Sequence, residues 1–265
     1  MKELEIFIAS LGIGLSLGFM GAGGSILTIP VFVYVLKKDP LSSGVYSMFV
    51  VGMSSMAGTI QSMFNKLVDF RVTVTFGVPS IAGVLFARKL ILPLIPGQVF
   101  SFGSFSLSKN MLFMLCLSCL MIWSSFRMLK PVVKNNSRID DKEKPAVGLL
   151  AIRGVFVGII TGLVGIGGGF LIVPALYFLA RLPVKKAIAT ALLIITFNSL
   201  FGFLTSYTSM DLDWLLLLKF SAGAIIGIMI GTTLSQKIPG DYVKKIFGWF
   251  ILSISFYILY KEFFL

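Results

Sequence analysis

Long apolar segments, separated by short polar stretches, follow one another along the whole chain. Most of them hold roughly 18–23 residues, which is the length that a helix rising 1.5 Å per residue needs to cross a hydrocarbon core of ~30 Å. The pattern therefore predicts an all-α polytopic membrane protein. The apolar segments lie at about Leu4–Leu36, Gly44–Phe64, Val72–Leu94, Met111–Met128, Val147–Leu182, Ile188–Met210, Trp214–Leu234 and Ile246–Phe264.

One polar stretch, KPVVKNNSRIDDKEKP from Lys130 to Pro145, is longer and more charged than the others. Its charges and its flanking prolines predict a solvent-exposed linker rather than a membrane segment. The linker divides the chain into a first membrane repeat at 1–129, a connecting segment at 130–146 and a second membrane repeat at 147–265.

The two halves resemble each other at a constant offset of 144 residues, the separation of Gly14 and Gly158. The same offset relates Asp69-Phe70 to Asp213-Trp214, so chance is a poor explanation and an internal duplication is indicated. Each copy opens with a glycine-broken helix. The other matched pairs are Gly18 with Gly162, Gly21 with Gly165, Gly23 with Gly167, Gly24 with Gly168, Leu27 with Leu171, Pro30 with Pro174 and Gly83 with Gly227.

The glycine-broken segments leave two topologies open. If each segment crosses the membrane once, the repeats are parallel and the Lys and Arg residues divide 12 to 11 between the two sides. If each forms a hairpin of two half-helices, as at 6–19 with 25–35 and at 154–163 with 170–180, the repeats are inverted and the division is 15 to 8. The positive-inside rule favours the hairpins, with the linker cytoplasmic and both termini outside.

Composition excludes several other classes of protein. Hydrophobic residues make up 57% of the chain and charged residues 13%, whereas soluble domains carry about 25% charged residues. The net charge of +12 comes from basic residues spread over loops, so we expect no nucleic-acid partner. The chain has no His, and Cys116 and Cys119 lie in an apolar segment, which predicts buried packing thiols and neither a metal site nor a cofactor. No apolar segment carries a catalytic set, so an enzyme is not expected.

The two glycine clusters are the candidate binding sites. Irregular backbone at membrane depth is tolerated only where it is buried in protein or lines a cavity. Glycine leaves N–H groups open to close approach, and a helix that begins after such a turn directs its positive dipole end at the gap. Two of these turns meeting near the midplane would bind an anion without a buried cation. The candidate residues are Gly21, Gly23, Gly24 and Ser25 in the first half and Gly165, Gly167, Gly168 and Gly169 in the second.

Polar residues elsewhere in the segments have competing explanations. Asn198 would suit an oxyanion beside a glycine turn, and it would equally suit a hydrogen bond between helices. Asp69 and Asp213 precede aromatic residues and are predicted to be helix N-caps. Pro30 and Pro174 are predicted to kink the helices that follow the glycine clusters.

Two stretches, GFMGAGGSILTIP from Gly18 and GLVGIGGGFLIVP from Gly162, resemble the signature of the TauE/SafE family of sulfite and sulfonate exporters, the TSUP permeases. The resemblance covers essentially the whole chain. It implies a permease of the plasma (inner) membrane that moves sulfur-containing or carboxylate-type organic anions. Members of the family usually carry a small hydroxyl residue early in the next helix; Thr190 fits that pattern, and Ser47 fits it less well in the first half.

The sequence therefore predicts a secondary transporter embedded in the lipid bilayer. Its substrate would be a small anion such as sulfite, thiosulfate or an organosulfonate, exported by alternating access around a glycine-lined site at the midplane. An anion channel with the same glycine-lined site is the alternative, and a homodimer is left open. Members of the family differ in substrate and direction, so the resemblance fixes neither.

Overall fold

The computed structural model describes residues 2–21, 23–94, 96, 98–102, 105–129, 147–164, 169–207, 212–235 and 240–264. Almost all of the described chain is helical, which confirms the all-α polytopic prediction. The helices of the first half are α1 (Lys2–Met20), α2 (Gly23–Pro30), α3 (Pro40–Phe64), α4 (Phe70–Val72), α5 (Val78–Phe86), α6 (Leu92–Leu94) and α7 (Lys109–Leu129). Those of the second half are α8 (Val147–Val164), α9 (Gly169–Phe178), α10 (Val184–Leu204), α11 (Trp214–Ser235) and α12 (Gly240–Phe264).

Among the described residues, three π-helical turns and one small sheet interrupt this pattern. The turns Thr73–Gly77 and Ala87–Ile91 join α4, α5 and α6 into one helical segment, and Val31–Val35 extends α2. Pro30 is the last residue of α2, where its missing N–H breaks the regular α-helical bonding. The sheet, which the sequence did not predict, is an antiparallel pair of short strands, β1 (Gln98–Phe102) and β2 (Phe105–Ser108).

Several helices have the length and composition of membrane spans. The candidates among the described residues are Glu3–Met20, Phe70–Leu94, Val147–Val164, Lys185–Leu204 and Trp214–Ser235. Large apolar side chains stand exposed on their outer faces, for example Phe156 on α8 and Leu215 on α11. This surface fits hydrocarbon rather than water. Helix α3 has 25 residues but lies inside the bundle and carries many serines, most of them buried.

The first half packs onto the second through α1 and α11. A Cβ added at Gly14 would lie 2.1 Å from the backbone oxygen of Ala224, and one added at Gly18 would lie 2.4 Å from that of Ile228. The two backbones therefore approach too closely for any side chain at these glycines. Because residue numbers rise together along the contact, α1 and α11 run parallel.

An equivalent contact joins α8 of the second half to α5 of the first. A Cβ added at Gly158 would lie 2.0 Å from the backbone oxygen of Ser80, and one at Gly162 would lie 2.9 Å from Val84 Cα. These positions are the α1–α11 positions shifted by 144 residues, with the partners exchanged. The first helix of each half thus packs on a later helix of the other half: α1 on α11, and α8 on α5. Neither half therefore forms a separate body.

Helices α3 and α10, which correspond to each other in the two halves, cross at the centre. A Cβ added at Gly52 would lie 2.9 Å from Leu200, and one added at Gly202 would lie 2.7 Å from Met48 Sδ. Residue numbers rise along α3 as they fall along α10. The two equivalent helices are therefore antiparallel.

The chain turns back after α1. A Cβ added at Gly24 would meet the backbone oxygen of Ile13, inside α1. The Phe32 ring, beyond α2, lies 4.8 Å from that of Phe220, close to where α11 begins. Because α11 runs parallel to α1, the segment from Gly24 to Phe32 returns toward the end of the bundle at which α1 starts.

The turn that ends each returning segment is the same in both halves. Lys37 and Arg181, related by the 144-residue offset, both have a φ of +53°. The N–H of Lys38 donates to the Phe32 carbonyl at 3.0 Å, and the N–H of Leu182 donates to the Leu176 carbonyl at 3.2 Å. The offset found in the sequence therefore also relates backbone geometry.

Candidate functional site

The first glycine cluster turns the chain at the end of α1. Gly21 has a φ of +65°, which favours glycine, and its N–H donates to the Leu17 carbonyl at 2.7 Å. A Cβ added there would lie 2.5 Å from Ile188 Cγ2. The backbone angle favours glycine, a side chain would fit only if Ile188 moved, and the turn lies against the start of α10 in the other half.

Gly24 and Ser25 are enclosed by protein. Besides meeting the Ile13 backbone oxygen, a Cβ added at Gly24 would lie 2.7 Å from Leu17 Cβ, and the Gly24 carbonyl accepts a hydrogen bond from Thr28 Oγ1 at 2.8 Å. Ser25 is fully buried one residue further along. Gly24 thus makes a tight packing contact, and a role for its N–H in binding an anion stays a prediction.

The second glycine cluster is described only at its last residue. Gly165, Gly167 and Gly168 lie outside the described residues, whereas Gly169 is buried and begins α9, as Gly23 begins α2. The helices that follow the two clusters pack together, since Leu27 and Leu171 belong to one buried cluster. A site shared by the two glycine clusters remains a prediction.

Thr190 has a defined contact with the first half. Its Oγ1 accepts a hydrogen bond from the backbone N–H of Asp69 at 3.0 Å, and Asp69 Oδ1 in turn accepts from the N–H of Val72. Asp69 is therefore the N-cap of α4, as predicted. Asp213 likewise accepts from the N–H of Leu216 at 3.0 Å, before α11 begins, which confirms the second predicted cap.

Tyr46, and not Ser47, matches Thr190 in the first half. Tyr46 Oη accepts a hydrogen bond from the backbone N–H of Asp213 at 2.7 Å. The two contacts are related by the 144-residue offset with the halves exchanged. Ser47 is fully buried, and its Oγ has no hydrogen-bond partner among the described residues. Its role as a substrate ligand stays a prediction.

Asn198 takes part in a buried polar layer between α10 and its neighbours. Its Nδ2 donates to Ser80 Oγ of α5 at 2.7 Å, while its Oδ1 has no partner among the described residues. Close by on α10, Thr196 Oγ1 donates to Ser55 Oγ of α3 at 3.2 Å. Ser199 Oγ, also buried, is unpartnered within the described part of the chain. The layer therefore contains interhelical hydrogen bonds together with two groups, the Asn198 amide oxygen and the Ser199 hydroxyl, that have no hydrogen-bond partner among the described residues.

Arg88 is a buried cation, whereas the anion site predicted at the glycine clusters needed none. This residue is 6% exposed, lies in the π-helical turn Ala87–Ile91 and contacts Gly162 and Ser206 through its guanidinium. The signal was available in the sequence, because Arg88 stands inside the apolar segment Val72–Leu94, six residues before its end. An ionisable residue at such a position is a functional candidate by default.

The chemistry of the described interior is simple. Apart from Arg88, its buried polar residues are serines, threonines and one asparagine, and none of those described is a carboxylate or a lysine. The two cysteines do not belong to it: Cys116 and Cys119 are both exposed on α7. Their predicted role as buried packing thiols is wrong, because this side of α7 faces outward.

Comparison with known proteins agrees with this architecture. The family described as "Sulfite exporter TauE/SafE" matches residues 6–258. The chain belongs to the TauE/SafE family. It is 29% identical to a probable membrane transporter protein of Xylella fastidiosa (strain 9a5c), over 99% of this chain and 97% of the relative. It is 27% identical to the probable membrane transporter protein YunE of Bacillus subtilis (strain 168), over 97% of this chain and 99% of the relative.

Membership makes the protein a TauE/SafE membrane transporter with several membrane-spanning helices, which acts on a small molecule in the plasma membrane. A probable membrane transporter protein of Methanocaldococcus jannaschii is also similar, at 24% identity over 90% of this chain and 88% of the relative. No solved structure matches the chain.

Proposed function

We propose that the protein is a secondary transporter, and not an enzyme, which exports small organic or sulfur-containing anions such as sulfite, thiosulfate or organosulfonates. The observation that carries the proposal is the charge of the described interior, which holds one buried arginine and no buried carboxylate or lysine. A membrane-buried cation without an acidic partner attracts anions and repels cations. Serine and threonine hydroxyls and an asparagine amide supply donors that suit an oxyanion.

The arrangement of the halves supports alternating access. Helices α3 and α10 are equivalent and antiparallel, and the α1–α11 contact recurs as α8–α5 with the halves exchanged. We therefore take the repeats as inverted across the membrane, with both glycine turns near the substrate path and the linker in the cytoplasm. In such an assembly, rocking one half against the other would open the path to each side in turn.

The buried hydroxyls on the two central helices are the first substrate contacts to consider. Ser47 on α3 and Ser199 on α10 each have a buried Oγ without a partner among the described residues. An unpaired buried hydroxyl costs roughly 1–3 kcal/mol. A bound oxyanion would offset that cost by accepting their hydrogen bonds.

Counterflow in proteoliposomes tests the transporter against the channel. Vesicles loaded with millimolar unlabelled sulfite, thiosulfate, taurine-type sulfonates or short carboxylates are diluted into trace amounts of the labelled anion. An alternating-access transporter concentrates the label transiently, because exchange is faster than net flux. A channel gives no overshoot and a flux that follows the membrane potential, and that result would refute alternating access. No flux of any of these anions would refute the anion proposal itself.

Coupling to protons can be tested in the same vesicles. None of the carboxylates whose burial the structure describes is buried, so a buried carboxylate relay has no residue to use there. We expect that any proton moves with the substrate, for example as hydrogen sulfite. Sulfite flux should then respond to an imposed pH gradient, while the flux of a sulfonate, which stays ionised, should not. Equal sulfite flux at every gradient would contradict this coupling.

A further inference from the structure

Arg88 is a buried charge near one end of the bundle. It stands eight residues beyond Ser80 along the segment of α4, α5 and α6, and its side chain is 6% exposed. The ion pair found among the described residues joins Lys219 and Glu3, and no described carboxylate pairs with Arg88. An isolated charge in a low-dielectric interior is costly unless a counter-charge reaches it.

Two hydrogen bonds hold the guanidinium in one orientation. Arg88 Nε donates to the Gly162 carbonyl at 2.9 Å, and Arg88 Nη1 donates to Ser206 Oγ at 2.9 Å. Both partners belong to the second half, and both are neutral. A guanidinium carries five N–H groups, and its planar fork matches the geometry of carboxylate and sulfur oxyanions. The two neutral contacts therefore orient the group and leave its charge uncompensated.

Symmetry-related positions show that this cation occurs once. The residue that the 144-residue offset pairs with Arg88 is Thr232, which packs against Gly18 as Arg88 contacts Gly162. Thr232 lies in the regular helix α11, whereas Arg88 lies in the π-helical turn Ala87–Ile91. Such turns are frequent at functional sites. The duplicated fold has thus been modified at one copy, at the residue that carries the charge.

An apolar layer separates Arg88 from the polar layer around Asn198. A Cβ added at Gly202, which lies on α10 midway in sequence between Asn198 and Ser206, would lie 2.7 Å from Met48 Sδ and 3.3 Å from Val84 Cγ1. Met48 is fully buried. Moving from the Arg88–Ser206 contact toward the Asn198–Ser80 contact therefore means passing Met48.

We infer that Arg88 is an anion-binding residue, which forms a subsite for small oxyanions with Ser206. The subsite lies on the side of the Met48 layer away from Asn198, next to the C-terminal end of α10. This inference rests on the proposed function and deepens it: the anion meets the guanidinium before or after it meets the Asn198–Ser80 layer. The competing explanation is that Arg88 merely caps the last turn of α8, whose carbonyls attract a cation. Capping and binding have different consequences for transport.

The test compares Arg88→Gln and Arg88→Lys with Arg71→Gln, using labelled sulfite and a labelled sulfonate in proteoliposomes. Arg71 is exposed near the other end of the same helical segment. Replacing it with glutamine removes one positive charge, as Arg88→Gln does, but outside the buried interior. Binding predicts that Arg88→Gln raises KM by about tenfold or more, the loss expected for one charge-assisted hydrogen bond. Arg88→Lys should retain part of the affinity, because it keeps the charge but not the fork. Arg71→Gln should match the wild type.

The melting temperature of the purified protein, with and without sulfite, separates binding from capping. A binding residue, once replaced, removes the stabilisation that sulfite gives to the wild type. If Arg88 only caps α8, Arg88→Gln melts lower with an unchanged KM and an unchanged sulfite shift, and the inference is overturned. Should Arg88→Gln fail to insert, Ser206→Ala keeps the charge and removes one orienting contact. Its KM should rise severalfold, and an unchanged KM would also overturn the inference.

Failure of the inference and failure of the proposed function give different results. If the wild type transports sulfite or a sulfonate and Arg88→Gln does so with the same KM, only the Arg88 subsite is refuted. If the wild type neither transports these anions nor is stabilised by them, the anion proposal fails, and the subsite fails with it.

Discussion

Tyr46 Oη accepts a hydrogen bond of 2.7 Å from the backbone N–H of Asp213, and this bond ties the central helix of one half to the start of α11 in the other. Thr190 and Asp69 make the same bond at 3.0 Å with the halves exchanged. In each case a side-chain hydroxyl holds the N-cap residue of a helix that packs on the opposite half. The two halves are therefore fastened at equivalent points.

Tyr46→Phe should destabilise the protein by about 1–3 kcal/mol, because it leaves the Asp213 N–H without its partner. Thr190→Val should do the same through Asp69. Unfolding in mixed micelles measures the effect. Tyr242→Phe, on the exposed part of α12, is the matched control and should change nothing. Unaltered stability in Tyr46→Phe would contradict the fastening role. A raised KM with normal stability in Thr190→Val would instead make Thr190 a substrate ligand.

The match between Tyr46 and Thr190 could have been predicted from the sequence, because the 144-residue offset relates them directly. A search for a small hydroxyl residue, rather than for the residue 144 positions before Thr190, points instead to Ser47, one position away. The exchange of helices between halves could not have been predicted. A duplicated sequence is equally compatible with two halves that fold side by side, and contacts between the halves, such as the backbone contacts of Gly14 and Gly158, distinguish the arrangements.

Two glycines on α1, only two positions apart, should respond oppositely to alanine. A methyl group at Gly14 would lie 2.1 Å from the Ala224 backbone oxygen, whereas one at Gly12 meets nothing within 4 Å. Gly14→Ala must separate α1 from α11, so we expect little folded protein and no transport. Gly12→Ala should be neutral or stabilising by up to about 1 kcal/mol.

Size-exclusion profiles and melting temperatures of the two alanine variants check this expectation. Equal behaviour of Gly12→Ala and Gly14→Ala would show that the backbones of α1 and α11 do not meet at Gly14 and Ala224. Gly158→Ala offers the same test at the α8–α5 contact, where the Ser80 backbone oxygen lies 2.0 Å from the added atom.

Lys37 and Arg181 offer a direct test of inverted topology. They are equivalent in sequence, share a φ of +53° and are both exposed. In inverted repeats they lie on opposite sides of the membrane; in parallel repeats they lie on the same side. Single cysteines at these positions, in a background with Cys116 and Cys119 replaced by serine, should label with a membrane-impermeant maleimide from opposite faces.

The positive-inside rule adds an orientation to the labelling result. Lys37→Cys should label from outside and Arg181→Cys from the cytoplasm, together with a cysteine at Ser137 of the linker. Labelling of Lys37→Cys and Arg181→Cys from the same face would refute inversion. Labelling from opposite faces with the linker outside would keep inversion and reverse the orientation.

Much less of the candidate site than of the fold could be predicted from the sequence. The glycine clusters stood out as breaks in apolar helices, but Gly24 turns out to face the backbone of α1 at Ile13. Arg88 was overlooked, because a basic residue near the end of an apolar segment resembles the loop residues that orient membrane proteins. Its burial depends on α8 packing alongside it, and that contact joins residues that are far apart in sequence.

Asn198→Asp should convert the polar layer from one that accepts anions to one that repels them. Asn198 Nδ2 donates to Ser80 Oγ in the wild type, whereas an aspartate places an oxygen there, to which the Ser80 hydroxyl can donate instead, so the side chain can keep a position close to that of Asn198. A carboxyl group is neutral at low pH and negative at high pH, so the side chain gains its charge as the pH rises. Transport should therefore be close to normal in acid and should fall as the pH rises.

A labelled sulfonate is the right substrate for measuring Asn198→Asp, since its own charge does not change over the range studied. Flux in proteoliposomes, with equal pH on both sides, is compared among the wild type, Asn198→Asp and Asn198→Ala. The alanine variant lacks a titrating group, so its flux should be reduced but independent of pH. If Asn198→Asp transports as well as the wild type at high pH, the anion does not pass Asn198. The path would then lie elsewhere around α10, and Ser47 and Ser199 would be the next residues to replace.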